Sequence, residues 1–153
     1  MIAVLFNILF FLIPLVFFKN TSELFEFNKI ITLYALTILI TTFWLIRIIK
    51  LKKIIFRRTI LDIPLIGYLV VLLLSTLLSI DPRTSVFGYY SRFNGGLFSI
   101  LSYSLLYWAF VSNLNKRQAI HTTYSILLST ANASAMALAE HFGINITCAL
   151  MGQ

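Results

Sequence analysis

The stretch Ile30–Arg58, "IITLYALTILITTFWLIRIIKLKKIIFRR", changes character once. Residues 30–46 carry no charge, and then Arg47, Lys50, Lys52, Lys53, Arg57 and Arg58 follow in quick succession. A helix that crosses the hydrocarbon core of a bilayer needs about 20 mostly apolar residues. Lys and Arg crowded just beyond such a run mark the cytoplasmic side of a membrane protein. Residues 30–48 are therefore expected to cross a membrane, with the basic connector inside.

The whole chain fits that solvent. Of its 153 residues, 59% are hydrophobic and 11% charged, an apolar share above that of an ordinary globular domain. The apolar residues come in long runs without helical or alternating periodicity. Net charge is +7, but the basic residues sit between hydrophobic runs rather than along a face with interleaved aromatics, which argues against nucleic acid as a partner. One cysteine, Cys148, excludes an intrachain disulfide and a cysteine-based metal cluster.

Working outward, five segments approach membrane-crossing length: 2–18, 30–48, 60–80, 96–113 and 119–139. The predicted fold class is all-α, a polytopic helical bundle of about five spans forming one continuous region, part of a larger bundle. The first span has no basic residue before it and no small-residue cleavage site after it, so it is expected to be a retained anchor. With the N-terminus in the cytoplasm, alternate crossings put the connector 49–59 and the Lys116–Arg117 turn inside. Eight of the 12 Lys and Arg then lie inside, while "KNTSELFEFNK" (19–29), residues 81–95 and the C-terminus lie outside.

Within the bundle, Thr59 and Asp62 have the spacing of a helix-start cap, and Asp81-Pro82 suits the start of a short interfacial helix. An acid at a span is otherwise a candidate proton relay, but Asp62 lies one turn from Arg57 and Arg58, where charge costs little. Ser99, Tyr103 and Tyr107 form a polar stripe, and Ser125, Ser129, Ala133 and Ala137 a stripe of small residues; both are expected to face protein. Glu140 and His141 at the outer end of the fifth span suit an interfacial position better than acid-base chemistry. Three glycosylation-type triplets, at Asn20, Asn132 and Asn145, carry little weight because such triplets arise by chance.

The outside loop holds the candidate site. Arg83 and Arg92 stand on the side where the inside bias disfavours cations, so orientation does not account for them. A guanidinium presents a planar fork of donors matched to phosphate or carboxylate. Arg92, with Arg83, Tyr90 and Asn94, is the tentative substrate-binding set; the competing role is a lipid-headgroup contact or a structural pair with Asp81. Tyr89, Tyr90 and Phe93 suit the headgroup level, and Asn94-Gly95-Gly96 a sharp turn into the fourth span. No metal-ligand cluster, nucleophile elbow or phosphate-binding glycine loop is present in the sequence, and no catalytic residue is assigned. A transporter is disfavoured by the lack of a central ionisable residue in any span.

The segment "LSTLLSIDPRTSVFGYYSRFNGGLFSILSYSLLYWAFVSN", through its Ser-x-Asp, Phe-Gly-Tyr and Arg-x-Asn-Gly-Gly elements from Ser79 to Gly96, resembles the N-terminal half of bacterial O-antigen ligase and polymerase-like membrane proteins. "EHFGINITC", from Glu140, is similar to the stretch that leads to further spans there. The resemblance implies a glycosyltransferase that moves a glycan from an undecaprenyl pyrophosphate carrier at the outer face of the inner membrane, with no metal or nucleotide cofactor. Such proteins carry their catalytic Arg and His on a large later loop. This chain ends before one, so the expectation is an N-terminal membrane portion that is not catalytic alone. The alternative is a small non-catalytic membrane protein packing against a protein partner.

Overall fold

A computed structural model describes residues 1–16, 26–90 and 92–142. Asn20, Glu23, Asn145, Cys148 and the end of the "EHFGINITC" stretch lie outside them. All regular structure among the described residues is helical. The elements are α1 (Ile2–Leu12, continued by a 3-10 turn Ile13–Leu15), α2 (Glu26–Leu51), α3 (Asp62–Leu77), α4 (Pro82–Phe87), α5 (Leu97–Asn113) and α6 (Lys116–His141).

Helices thus stand at all five expected spans, and α4 is the short helix expected from Asp81-Pro82. At 1.5 Å per residue the 26 residues of α2 reach roughly 39 Å, beyond the roughly 30 Å of a hydrocarbon core. Among the described residues α2 alone is both long and apolar enough to cross a membrane. The other apolar helices, Ile2–Leu15, Asp62–Leu77 and Leu97–Asn113, are shorter. α6 matches α2 in length but places Ser, Thr, Asn and Ala where α2 has Ile and Leu.

Local chemistry sets the helix ends. Pro14 falls in the turn that ends α1, where a missing N–H and fixed φ favour a tightened last turn. Pro64 is tolerated because it lies in the first turn of α3, whose N–H groups have no intrahelical partner. The expected Thr59–Asp62 cap forms only in part. Asp62 Oδ2 accepts from the Thr59 N–H at 2.6 Å, but the Thr59 hydroxyl donates to Asp62 Oδ1 rather than accepting a helix N–H. The residue before the helix is Leu61, with Thr59 two positions further back, too far to cap.

The core gathers on α1. Phe6, fully buried, meets the Phe110 ring edge-on at 5.2 Å, and Leu9, Leu36, Ile40, Trp44, Leu106 and Ala109 close around it. α1 packs on α6 and α2, α2 packs on α5, and α3 and α4 pack on α5. α5 and α6 make no contact along their described lengths, and an apolar groove of about 550 Å³ separates them, lined by Phe10, Leu33, Tyr103, Tyr107, Phe110 and Ile126.

The molecule has two distinct ends. Arg47 Nη1 donates to Asn113 Oδ1 at 3.0 Å and the Arg57 N–H to Ser112 Oγ at 3.2 Å, so the basic connector lies beside the α5–α6 turn. The start of α1 joins them, since Ala3 and Asn7 share a cleft with Gln118 and His121. At the opposite end the Tyr34 hydroxyl donates to Phe93 O at 3.0 Å, bringing the start of α2 under the 81–96 loop. α2 and α5 are therefore parallel, with α3 antiparallel beside α5.

In α3 burial is inverted relative to a water-soluble fold. α3 buries only Asp62 and Thr76 while Ile63, Val71, Leu77 and Leu78 are largely exposed. Buried hydroxyls are satisfied locally, as in Thr37 to Leu33 O and Ser104 to Ile100 O, or across helices, as in Ser129 to Phe11 O at 2.7 Å. Of the small-residue stripe, Ser129 is buried, Ser125 and Ala133 are half-buried and Ala137 is exposed, so the stripe faces protein except at its last member.

Because Phe6 is fully buried in the core that α1 forms with α2 and α5, Phe6→Ala is expected to destabilise the fold by about 3 kcal/mol, whereas exposed Ile49→Ala should change it by less than about 0.5 kcal/mol. Chemical denaturation followed by circular dichroism measures both.

Candidate functional site

The 81–96 loop is folded tightly onto itself. Asp81 caps α4, accepting from the Thr84 hydroxyl and backbone N–H. These bonds, with attraction from Arg83, hold the Asp81 carboxyl below its ordinary value. After α4 the chain reverses at Gly88 (φ 87°), and Tyr89 N–H donates to Asn94 O at 3.2 Å, closing the loop. A Cβ on Gly88 would overlap Asn94 O, and one on Gly96 would overlap Gly88 N and Val86 O. Two backbones meet there at a distance that only glycine permits.

The expected turn is thus present with a different division of labour. Gly95 (φ 83°) and Phe93 (φ 52°) take the left-handed conformation, while Gly96 has ordinary φ and is needed for the close approach. Asn94 is the hub: its Oδ1 accepts from Gly95 N–H at 2.8 Å and from the Tyr103 hydroxyl at 3.3 Å. The Phe93 ring packs against Phe27 at 5.6 Å and Phe87 at 6.3 Å, which anchors the loop to the start of α2.

That anchoring presents Arg92. Its guanidinium lies 3.4 Å from the Glu26 carboxylate, both side chains about half exposed, at 52% and 48%. Glu26, Tyr89, Arg92, Asn94 and Gly95 line an open cleft of about 500 Å³. Two of the four sequence-predicted residues, Arg92 and Asn94, therefore meet. The other two, Arg83 and Tyr90, form a separate pair, the guanidinium 5.4 Å over the ring centroid, and do not line the cleft. Arg83 is also close enough to Asp81 to stabilise its charge, and this is the structural partnership weighed against a phosphate role.

Glu26 was legible only as one acid of an outside segment. Its place opposite Arg92 follows from the meeting of α2 with a loop 66 residues later in the chain (92 − 26). No group of three His, Cys, Asp or Glu among the described residues is arranged to hold a metal ion. The polar stripe of α5 divides its work: Ser99 is buried, Tyr103 supports the outer loop, and Tyr107 reaches the Thr59 hydroxyl at 2.7 Å toward the other end. His141 stacks edge-on against Phe142 at 5.7 Å, and the Glu140 side chain lies outside the described ones.

Comparisons with family models, curated proteins and solved structures found no match.

Two outcomes test the loop. Gly88→Ala or Gly96→Ala should raise amide exchange across residues 86–96 severalfold, whereas Gly67→Ala, with nothing within 4 Å of its added Cβ, should not. Because the Asp81 carboxyl is held below its ordinary value, its cap is at full strength above pH 3.8 and is lost as pH falls further. The Thr84 amide shift should follow that titration and become pH-independent in Asp81→Ala.

Proposed function

We propose that the chain is the N-terminal membrane portion of an O-antigen ligase-like glycosyltransferase, not catalytic alone, whose outer loop receives the phosphates of an undecaprenyl-pyrophosphate-linked glycan. It crosses the inner membrane about five times, with the N-terminus and basic connector in the cytoplasm and residues 81–95 and the C-terminus outside. The apolar exposure of α3 and the gathering of the basic residues at one end support this placement. The shorter helices cross within a locally thinned bilayer or against further helices.

The observation that carries the anion role is Arg92 at the rim of an open cleft, at the end opposite the basic connector. An exposed ion pair is worth about 0–1 kcal/mol, so a phosphate replaces Glu26 beside Arg92 at small cost. A bidentate phosphate contact is stronger because the acceptor is doubly anionic and the fork is planar. Asn94, Tyr89 and Gly95 supply the polar surface beside it. Arg83 and Tyr90 act as the loop's membrane-level anchor, the guanidinium stacked on a ring that is 74% exposed.

A second function, packing against a protein partner without any transfer role, is favoured by α6. Its exposed His121, Thr123, Thr130 and Asn132 suit protein contact better than lipid.

The two separate by measurement. With the full chain in nanodiscs, Arg92→Ala should weaken binding of undecaprenyl pyrophosphate about tenfold relative to undecaprenol, the scale of a lost charged hydrogen bond, and Glu26→Gln should strengthen it. Unchanged binding by native mass spectrometry in both variants would remove the phosphate role and leave the packing function.

A further inference from the structure

The connector between α2 and α3 is not a slack basic tail. It leaves the bundle at Lys52, whose φ of 49° turns the chain, and is then tied down at successive points. Trp44 Nε1 donates to Ile55 O at 3.0 Å, the Arg57 N–H donates to Ser112 Oγ, and Thr59 is held by Asp62 and Tyr107. The Phe56 ring rests 6.3 Å from that of Trp108, which itself donates to Asp62 Oδ1 at 3.1 Å. No tether uses a lysine or arginine side chain of the connector, and Lys50, Lys52, Lys53, Arg57 and Arg58 are all exposed. Lys116 and Arg117 extend the same face from the neighbouring turn.

Asp62 is the only carboxylate described at this end; Thr59 and Trp108 occupy its oxygens, and of the connector's cations Arg58 lies near enough to favour its charge. Beside the cations the connector exposes aliphatic side chains: Ile54, between Lys53 and Arg57, is 87% accessible, and Ile60, just beyond Arg58, 94%. In the connector Phe56 is 42% exposed but lies against the Trp108 ring, which is not the row of open stacking platforms a nucleic acid would use; cations set beside exposed isoleucines match the boundary between lipid phosphates and acyl chains.

We propose that this end face binds the phosphate groups of anionic phospholipids, with Ile54 and Ile60 laid into the acyl region beneath the headgroups. It rests on the membrane placement above but on no residue of the outer cleft. The tethers hold the cations in position before lipid arrives, so little ordering cost remains to be met on binding.

The test is lipid enrichment around the full chain in nanodiscs of mixed phosphatidylglycerol and phosphatidylcholine, read by native mass spectrometry after partial delipidation. The wild type should retain phosphatidylglycerol about fivefold over phosphatidylcholine, falling in high salt. Neutralising K50Q, K52Q, K53Q, R57Q and R58Q together should abolish the preference, while the charge-preserving K52R and K53R pair and the far-end Arg92→Ala should keep it. Equal retention of both lipids by the wild type, or a preference that survives neutralisation, would overturn the proposal. So would displacement of the lipid by single-stranded RNA, which would assign the face to nucleic acid. Because Arg92→Ala is predicted to leave this readout alone, loss of the carrier-binding role and loss of this one are distinguishable.

Discussion

α5 is tied by side-chain hydrogen bonds to the connectors at both ends of the bundle. Tyr103 reaches out to Asn94 in the 81–96 loop, and one turn along the same face Tyr107 reaches down to Thr59, with Trp108 beside it on Asp62. In a bundle whose outer surface is apolar, a hydroxyl or indole N–H has few places to find an acceptor. The connectors are those places, and their geometry follows from it. Were α5 rotated by the 100° of one residue, both loops would lose their attachment together.

The same economy of polar groups explains why the ends differ. At one end the carboxylates are used within the loop and against its cations: Asp81 caps α4 and Glu26 faces Arg92. At the other, Asp62 is consumed by holding the backbone, and the cations are left to face outward. One end thus sets its carboxylates against its cations, while the other is strongly positive. The contrast rests on where five acids fall among twelve bases.

Much of the architecture was legible because lipid-like composition and length are one-dimensional properties. The positions of α2, α3 and α5 follow from apolar runs, and α4 follows from Asp81-Pro82 alone. α6 shows the limit: residues 119–139 suffice for length, yet their Ser, Thr and Ala content falls short of a lipid-facing helix. The site divides in the same way. Asn94 and the glycines are turn formers by local chemistry, and Arg92 stands out by its side of the chain. Glu26 and the pairing of Arg83 with Tyr90 needed the third dimension, since no sequence rule ties the start of α2 to a loop so far along. Gly96 was assigned the right place for the wrong physical reason, because a close approach leaves no mark on the sequence that a turn does not also leave.

The packing of α6 on α1 sets the order in which the chain can be assembled. Ser129 bonds to the Phe11 carbonyl across 118 residues of sequence, and α6 leans on no described helix but α1. As the chain is synthesised, α2 and α5 can pair soon after α5 emerges, but the flank of α1 stays uncovered until α6 arrives. For that interval α1 presents Phe11's free carbonyl and an open apolar side to whatever lies nearby. Of the described helices, α1 precedes the others in the chain and is covered last, so its packing depends on synthesis reaching α6.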